Sequence, residues 1–163
     1  MGKALYFDGI DDNIVVPDSN TLNLSNSFTL SAWVNPSSTF TDWISIVAKN
    51  YRYYLYASVL GFCGTGNPVG GFNEGQDTVA CGPSPLPINT WTHLTVTYDG
   101  SALTLYQNGN AVAVYTVSAT LSPTTGSLQI GASQYGEYFQ GLIDEVRIYN
   151  RALSGTEIQA MPV

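Results

Sequence analysis

The 163-residue chain carries twelve acidic against five basic side chains, a net charge of −7, and only 10% of its residues are charged. That balance excludes the Lys/Arg patch that nucleic acid or an anionic membrane surface needs, and 44% apolar residues exclude disorder. No run of 18 apolar residues is present, so no membrane insertion is expected.

The opening MGKALYFDG has no charged n-region before an apolar stretch and enters a strand-like segment within three residues. The expectation is one domain over residues 1–163, a module linked to other domains in a longer chain. Period-2 alternation then recurs along the sequence. In Phe28–Asn35, Phe28, Leu30, Ala32 and Val34 take one face and Thr29, Ser31, Trp33 and Asn35 the other. The segments 43–49 and 52–58 alternate similarly, the second placing Arg52, Tyr54, Tyr56 and Ser58 opposite Tyr53, Leu55 and Ala57.

Residues 61–86 read as a long irregular loop, rich in Gly, of a length that is usually functional or mobile. Cys63 and Cys81 lie within it. A metal site would want more Cys or His at short spacing, and the chain has one His, so a disulfide is the better reading and two buried free thiols the alternative. A bridge implies an oxidising compartment: secreted, periplasmic or cell-surface.

Trp91–Tyr98 sets Leu94 and Val96 against His93, Thr95 and Thr97. Asp99-Gly100 marks a tight turn, and Asn108-Gly109 between strand-like runs is the strongest short hairpin signal. Strands resume at 128–131 and 138–149, and Ser154-Gly-Thr-Glu157 has the form of a capping box opening a short helix to about residue 161. Ten to twelve short strands with Gly, Pro and Asn between them make an all-β, antiparallel two-sheet sandwich with one C-terminal helix.

The segments ALYFDGIDDNIVVPDS, SFTLSAWVNP, WTHLTVTYDG, LYQNGNAVA and GLIDEVRIYNRALSGTEIQAM, in that order, resemble the concanavalin A-like, laminin-G-like jelly-roll domains of bacterial extracellular proteins. The resemblance implies a jelly roll with the first and last strands side by side. It does not imply one function, since the superfamily holds binding modules, enzymes and adhesion domains.

Hydrolases of this fold carry paired strand carboxylates, and a retaining pair needs carboxyl groups ~5–5.5 Å apart. The glutamates here are Glu74, Glu137, Glu145 and Glu157, and no two occupy neighbouring same-face strand positions. His93 lacks the Gln-x-His setting of the lyases of this fold, and a lone His among strand threonines reads as hydrogen-bonded structure. A non-enzyme is expected, the enzyme alternative resting on a cleft shared by Glu137, Glu145 and His93.

The resemblance also implies a structural calcium where the N-terminal strand, a turn before the third strand and an Asp of the last strand converge. Asp144 matches that Asp, Asn26 the turn and Asp8 the N-terminal contributor, with Asp11 and Asp12 nearby. The bland reading is that Asp8, Asp11 and Asp12 cap turns, or that a carboxylate pairs with Arg147 or Lys3.

For a ligand, sugars stack C–H faces on aromatic rings and pair hydroxyls with Asn, Gln, Arg and Asp. Arg52, Tyr54 and Tyr56 therefore suggest a glycan platform, joined by Trp33, rimmed by Trp43 and walled by Asn67, Asn73, Glu74, Gln76 and Asp77. Gln134, Tyr135, Glu137 and Tyr138 make a second polar-aromatic loop. The structural reading is that these aromatics pair across strands for stability alone. The functional expectation is a non-catalytic carbohydrate-binding module with a polysaccharide or glycan partner, neutral sugars favoured by the −7 charge; the rival is an adhesion, protein-interaction or spacer domain.

Overall fold

The computed structural model describes residues 3–61 and 63–161. The strands are β1 (Leu5–Asp8), β2 (Ile14–Val16), β3 (Phe28–Pro36), β4 (Ile44–Lys49), β5 (Tyr53–Ser58), β6 (Val69–Asn73), β7 (Asp77–Cys81), β8 (Thr92–Tyr98), β9 (Ala102–Gln107), β10 (Asn110–Thr116), β11 (Leu128–Ile130) and β12 (Gln140–Tyr149), followed by the helix α1 (Gly155–Gln159). They form two antiparallel sheets, ordered β1-β12-β3-β8-β9-β10 and β2-β11-β4-β5-β6-β7. The expected two-sheet jelly roll is therefore what the chain adopts, with β1 paired to β12 over Leu5↔Ile143 to Asp8↔Gln140.

Alternation explains the core. Phe28, Leu30, Ala32 and Val34 of β3 are fully buried between the sheets, with Leu94 and Val96 of β8 and Tyr53 and Leu55 of β5. The Phe28 ring lies 5.8 Å from Tyr53 and 5.8 Å from Tyr98, with Phe72 4.9 Å from Tyr98. The phenols reach out of the core to backbone: Tyr53 donates to the Leu22 carbonyl at 2.9 Å and Tyr98 to the Ala119 carbonyl at 2.8 Å.

The local signals hold. Asn108 and Gly109 both have positive φ, 50° and 78°, as a two-residue β9–β10 turn demands. Asp99 Oδ1 accepts from the backbone N–H of Ser101 and Ala102. Ser154 and Glu157 form the reciprocal capping box of α1.

Two readings are corrected. The segment 61–86 is not one irregular loop, because it contains the β6–β7 hairpin, paired from Val69↔Cys81 to Asn73↔Asp77. Its Gly70-Gly71 pair carries no strand propensity, yet a Cβ on Gly70 would meet Val96 Cβ at 2.3 Å and one on Gly71 would meet the Tyr54 ring at 2.9 Å. Glycine stands there for close approach, which residue preference does not reveal. Arg52, second, lies in the β4–β5 turn rather than on β5.

Cys63 and Cys81 form a disulfide with Cα atoms 5.4 Å apart. It ties the β5–β6 connection to the end of β7. Further ties are the Gly66 N–H to the Val59 carbonyl and the Asn67 carboxamide to the carbonyls of Cys63 and Gly82. A second, smaller apolar layer results on the outer face of the β4–β7 sheet, built on Ala48, Tyr54, Tyr56, Val59, Cys63 and Val69.

Candidate functional site

The β5 alternation is real, but its outward row is not an open platform. Tyr54 and Tyr56 are both 0% exposed, because the disulfide-pinned connection and neighbouring rings pack against them. Their hydroxyls end on carboxylates brought from remote segments: Tyr54 donates to Asp77 Oδ1 at 2.8 Å and Tyr56 to Glu137 Oε2 at 2.9 Å. Buried rings with polar tips satisfied in this way form a second core layer, and period-2 spacing alone does not separate that from a wet face.

The other proposed ligand residues disperse. Arg52 donates to the Asn73 carbonyl and to Glu74 Oε1, each at 2.6 Å, and Glu74 also accepts from the Ser122 N–H and hydroxyl. Its guanidinium is thus a strut between turns. The Asn73 side chain holds the β6–β7 turn, donating to Asp77 Oδ1 and accepting from the Gly75 N–H. Tyr138 borders a separate cavity of about 210 Å³ beside residues 38–42.

Trp33 belongs to the opposite sheet. It stacks on His93 with ring centroids 5.0 Å apart, beside a cavity of about 390 Å³ that Trp91, Asn108 and Gln159 also line. The His93 ring nitrogen lies 2.7 Å from the Ser31 hydroxyl, and burial, with the Arg147 charge second, lowers its pKa to about 4. It is a neutral, hydrogen-bonded core histidine. The Ser31, Thr29 side of β3 is covered rather than solvated, since the Thr29 hydroxyl bonds the Arg151 carbonyl and the Leu153 N–H. His93 on β8, Glu137 between β11 and β12, and Glu145 on β12, paired with Arg147, line three different cavities and do not share a cleft.

A smaller cleft, about 190 Å³, lies over the outer face of the β4–β7 sheet and is lined by Trp43, Tyr51, Tyr135 and Glu137. Each side chain has a local reason to be there. Asn50 and Tyr51 are the two central residues of the β4–β5 turn, at φ 43° and 59°, closed by the Arg52 N–H on the Lys49 carbonyl at 2.7 Å. A tyrosine in the left-handed region is uncommon and persists where the surroundings hold it. Here its ring stacks on Tyr54 at 5.4 Å and 12°, and its hydroxyl donates to Asp77 Oδ2 at 2.5 Å.

Tyr135, 66% exposed, stands edge-on to Tyr51 at 5.8 Å from the 133–136 turn, and Trp43 stands edge-on to Tyr56 at 5.7 Å. Glu137, at φ 58°, is fixed by its carbonyl accepting from the Ser45 N–H and by its carboxylate accepting from Ser133 and Tyr56. Burial first, then the adjacent carboxylates, push the phenols of Tyr51, Tyr54 and Tyr56 well above their ordinary value, so they remain donors at neutral pH. Tyr51 lies between β4 and β5, outside the period-2 alternation of either strand, and its signal in the sequence is the two-residue gap between Lys49 and Arg52.

The metal expectation also changes. Asp8 lies opposite Gln140 at one end of β12, Asp144 opposite Trp33 in its middle, and Asn26 precedes β3 at the Tyr149 end. Asp144, Asp8 and Asn26 therefore do not converge, because the antiparallel register spreads them along the strands. Asp144 accepts from the Glu145 N–H, and Asn26 from the Thr120 hydroxyl. The carboxylates that do meet are Asp8, Asp11 and Asp12, with oxygens within 4.8 Å of one another. Asp8 Oδ1 accepts from the Ile10 and Asp11 N–H groups and Asp12 Oδ2 from the Asp8 N–H. Those backbone bonds, that of Ile10 foremost, lower the Asp8 pKa. Three hard oxygen donors on one turn suit a hard cation.

Comparison with known proteins bears on the whole chain. Domain 4 of an extracellular arabinanase from Geobacillus stearothermophilus, solved in complex with arabinotriose, is 27% identical with a TM-score of 0.75; the match covers 98% of this chain and 76% of that one. A putative carbohydrate-binding protein of Bacteroides ovatus is 23% identical with a TM-score of 0.78, covering 96% of this chain and 45% of that one, a likeness of fold. Mouse pappalysin-1 is 26% identical over 176 residues, which take in 96% of this chain and 11% of that protein, so the chain spans about a tenth of that relative. No helix among the described residues is long and apolar enough to cross a membrane. The sequence model of the concanavalin A-like lectin/glucanases superfamily matches residues 8–159, and the chain belongs to that family.

Proposed function

We propose that this domain is a non-catalytic carbohydrate-binding module of an extracellular protein, and that the cleft of Trp43, Tyr51, Tyr135 and Glu137 is where the glycan docks. The observation that carries the reading is the cleft itself: three aromatic rings and one carboxylate line it, with Tyr51 and Trp43 packed on Tyr54 and Tyr56 of β5. Such rings take the C–H face of a pyranose or furanose, and Glu137 accepts from its hydroxyls. The arabinanase domain holding arabinotriose adds support from a relative of similar fold. As a module it would keep a larger chain near polysaccharide by raising effective concentration. The disulfide suits an oxidising, extracellular setting.

The test is affinity electrophoresis against neutral, amino and acidic polysaccharides, arabinan among them. Retardation by one class, lost in Trp43→Ala and Tyr135→Ala but kept in Trp33→Ala, is the expected result. No retardation across the panel refutes the reading and favours the adhesion or spacer role. Release of reducing sugar from a retarding polysaccharide would refute the non-catalytic part.

The same proposal includes a structural calcium, held by Asp8, Asp11 and Asp12, that would brace the turn after β1. Melting with calcium and with EDTA tests it: a higher Tm with calcium, absent in Asp11→Asn/Asp12→Asn, is expected, and no shift refutes it.

A further inference from the structure

We infer that the cleft of Trp43, Tyr51 and Tyr135 selects a glycan carrying a cationic ammonium group, a protonated amino sugar, over its neutral counterpart. The inference rests on the glycan-docking reading of this cleft and narrows its ligand.

The first ground is charge accounting around the site. Glu137 lines the cleft, and Asp77 accepts from the hydroxyl of Tyr51, which lines it too. Among the described residues, the hydrogen-bond partners of these carboxylate oxygens are neutral: Tyr51, Tyr54 and Asn73 on Asp77, Tyr56 and Ser133 on Glu137. The chain has five cations. Lys49, Arg52, Arg147 and Arg151 are bound to Asp18, Glu74, Glu145 and Glu157, and Lys3 borders a different cavity, beside β1 and β12. Neither carboxylate therefore has an ion-pair partner among the described residues, within a molecule of net charge −7.

The second ground is the walls. Aromatic faces carry negative quadrupole charge and attract a cation within ~6 Å of the ring centroid. Trp43, Tyr51 and Tyr135 line one cleft of about 190 Å³ together with a single carboxylate, Glu137. A neutral sugar uses the rings but leaves the carboxylate pair without a counter-charge. An ammonium group uses both, and its approach is favoured by the field of the whole molecule.

The experiment is isothermal titration of the folded domain with glucosamine oligosaccharides, their N-acetylated forms and tetramethylammonium chloride, at matched ionic strength and below the pKa of the amine. Wild type is compared with Glu137→Gln, which keeps shape and removes charge, and with Tyr135→Ala on the exposed rim. The expected result is a preference of about tenfold or more for the amino over the acetylated oligosaccharide. It should collapse in Glu137→Gln, weaken in Tyr135→Ala and shrink as salt is raised. Equal or tighter binding of the acetylated oligosaccharide, unaltered by Glu137→Gln, overturns the ammonium inference while the glycan reading stands. Binding of tetramethylammonium without either oligosaccharide, sensitive to Glu137→Gln, supports the cationic cage and overturns the glycan reading. Binding of none overturns both.

Discussion

Lys49 is the only lysine or arginine with no solvent exposure, at the end of β4, and its removal is the sharpest test of how the β4–β7 sheet is held. Its ammonium contacts Asp18 Oδ1 at 2.5 Å and donates to the carbonyls of Thr124 and Gly126. One side chain thereby anchors the segment after β2 and the strandless stretch before β11. Lys49→Met keeps the aliphatic stem and deletes the charge. Breaking a buried ion pair by removing one partner costs about 3–5 kcal/mol. The Asp18 side chain is 30% exposed and regains water, which places this case near the low end, about 3 kcal/mol. At ~2–4 °C per kcal/mol for a domain of this size, Tm should fall by about 6–12 °C. Urea unfolding followed by tryptophan fluorescence gives the free energy, and Asp18→Asn with the double variant closes the cycle. The double variant should cost clearly less than the two single changes summed. A Lys49→Met loss below about 0.5 kcal/mol, in the range of ordinary surface changes, or strict additivity with Asp18→Asn, would refute the anchoring argument.

Two further outcomes follow from the same geometry. Cys63 and Cys81, 18 residues apart, close a loop whose removal from the unfolded state is worth about 3 kcal/mol, so Cys63→Ser/Cys81→Ser should melt lower by roughly 6–12 °C and expose Tyr56 to quenchers; an unchanged Tm would refute the pinning role. His93 has its pKa lowered from 6.5 to about 4, so the unfolded chain binds the extra proton between those values and stability falls as pH drops through that window, by up to roughly 3 kcal/mol. Chemical unfolding at pH 7 and pH 4.5 should show that slope in wild type and a flatter one in His93→Gln; equal slopes would refute it.

Much of this architecture is written in short-range pattern. The alternation of β3 and β8, the Asn108-Gly109 turn and the Ser154/Glu157 capping box each depend on neighbours a few residues away. Those residues carry their structural preference wherever they are placed. The disulfide was legible too, from cysteine count and the poverty of His.

The site was legible only in kind. Aromatic and carboxylate residues from 43–77 and 135–137 do meet over one sheet face, but Tyr54 and Tyr56 became its buried backing, while Tyr51 and Tyr135 became its walls. Which ring is covered depends on where the β5–β6 connection is pinned and on which carboxylates arrive from 23 and 81 residues away. Likewise, only the antiparallel register keeps Asp144, Asp8 and Asn26 apart and places Trp33 on the far sheet. The sequence by itself determined the strands outside the β6–β7 hairpin, their inward faces and the family. Tertiary structure decided which outward faces meet water, because burial there is set by contacts between segments distant in sequence, and those leave no trace in local periodicity.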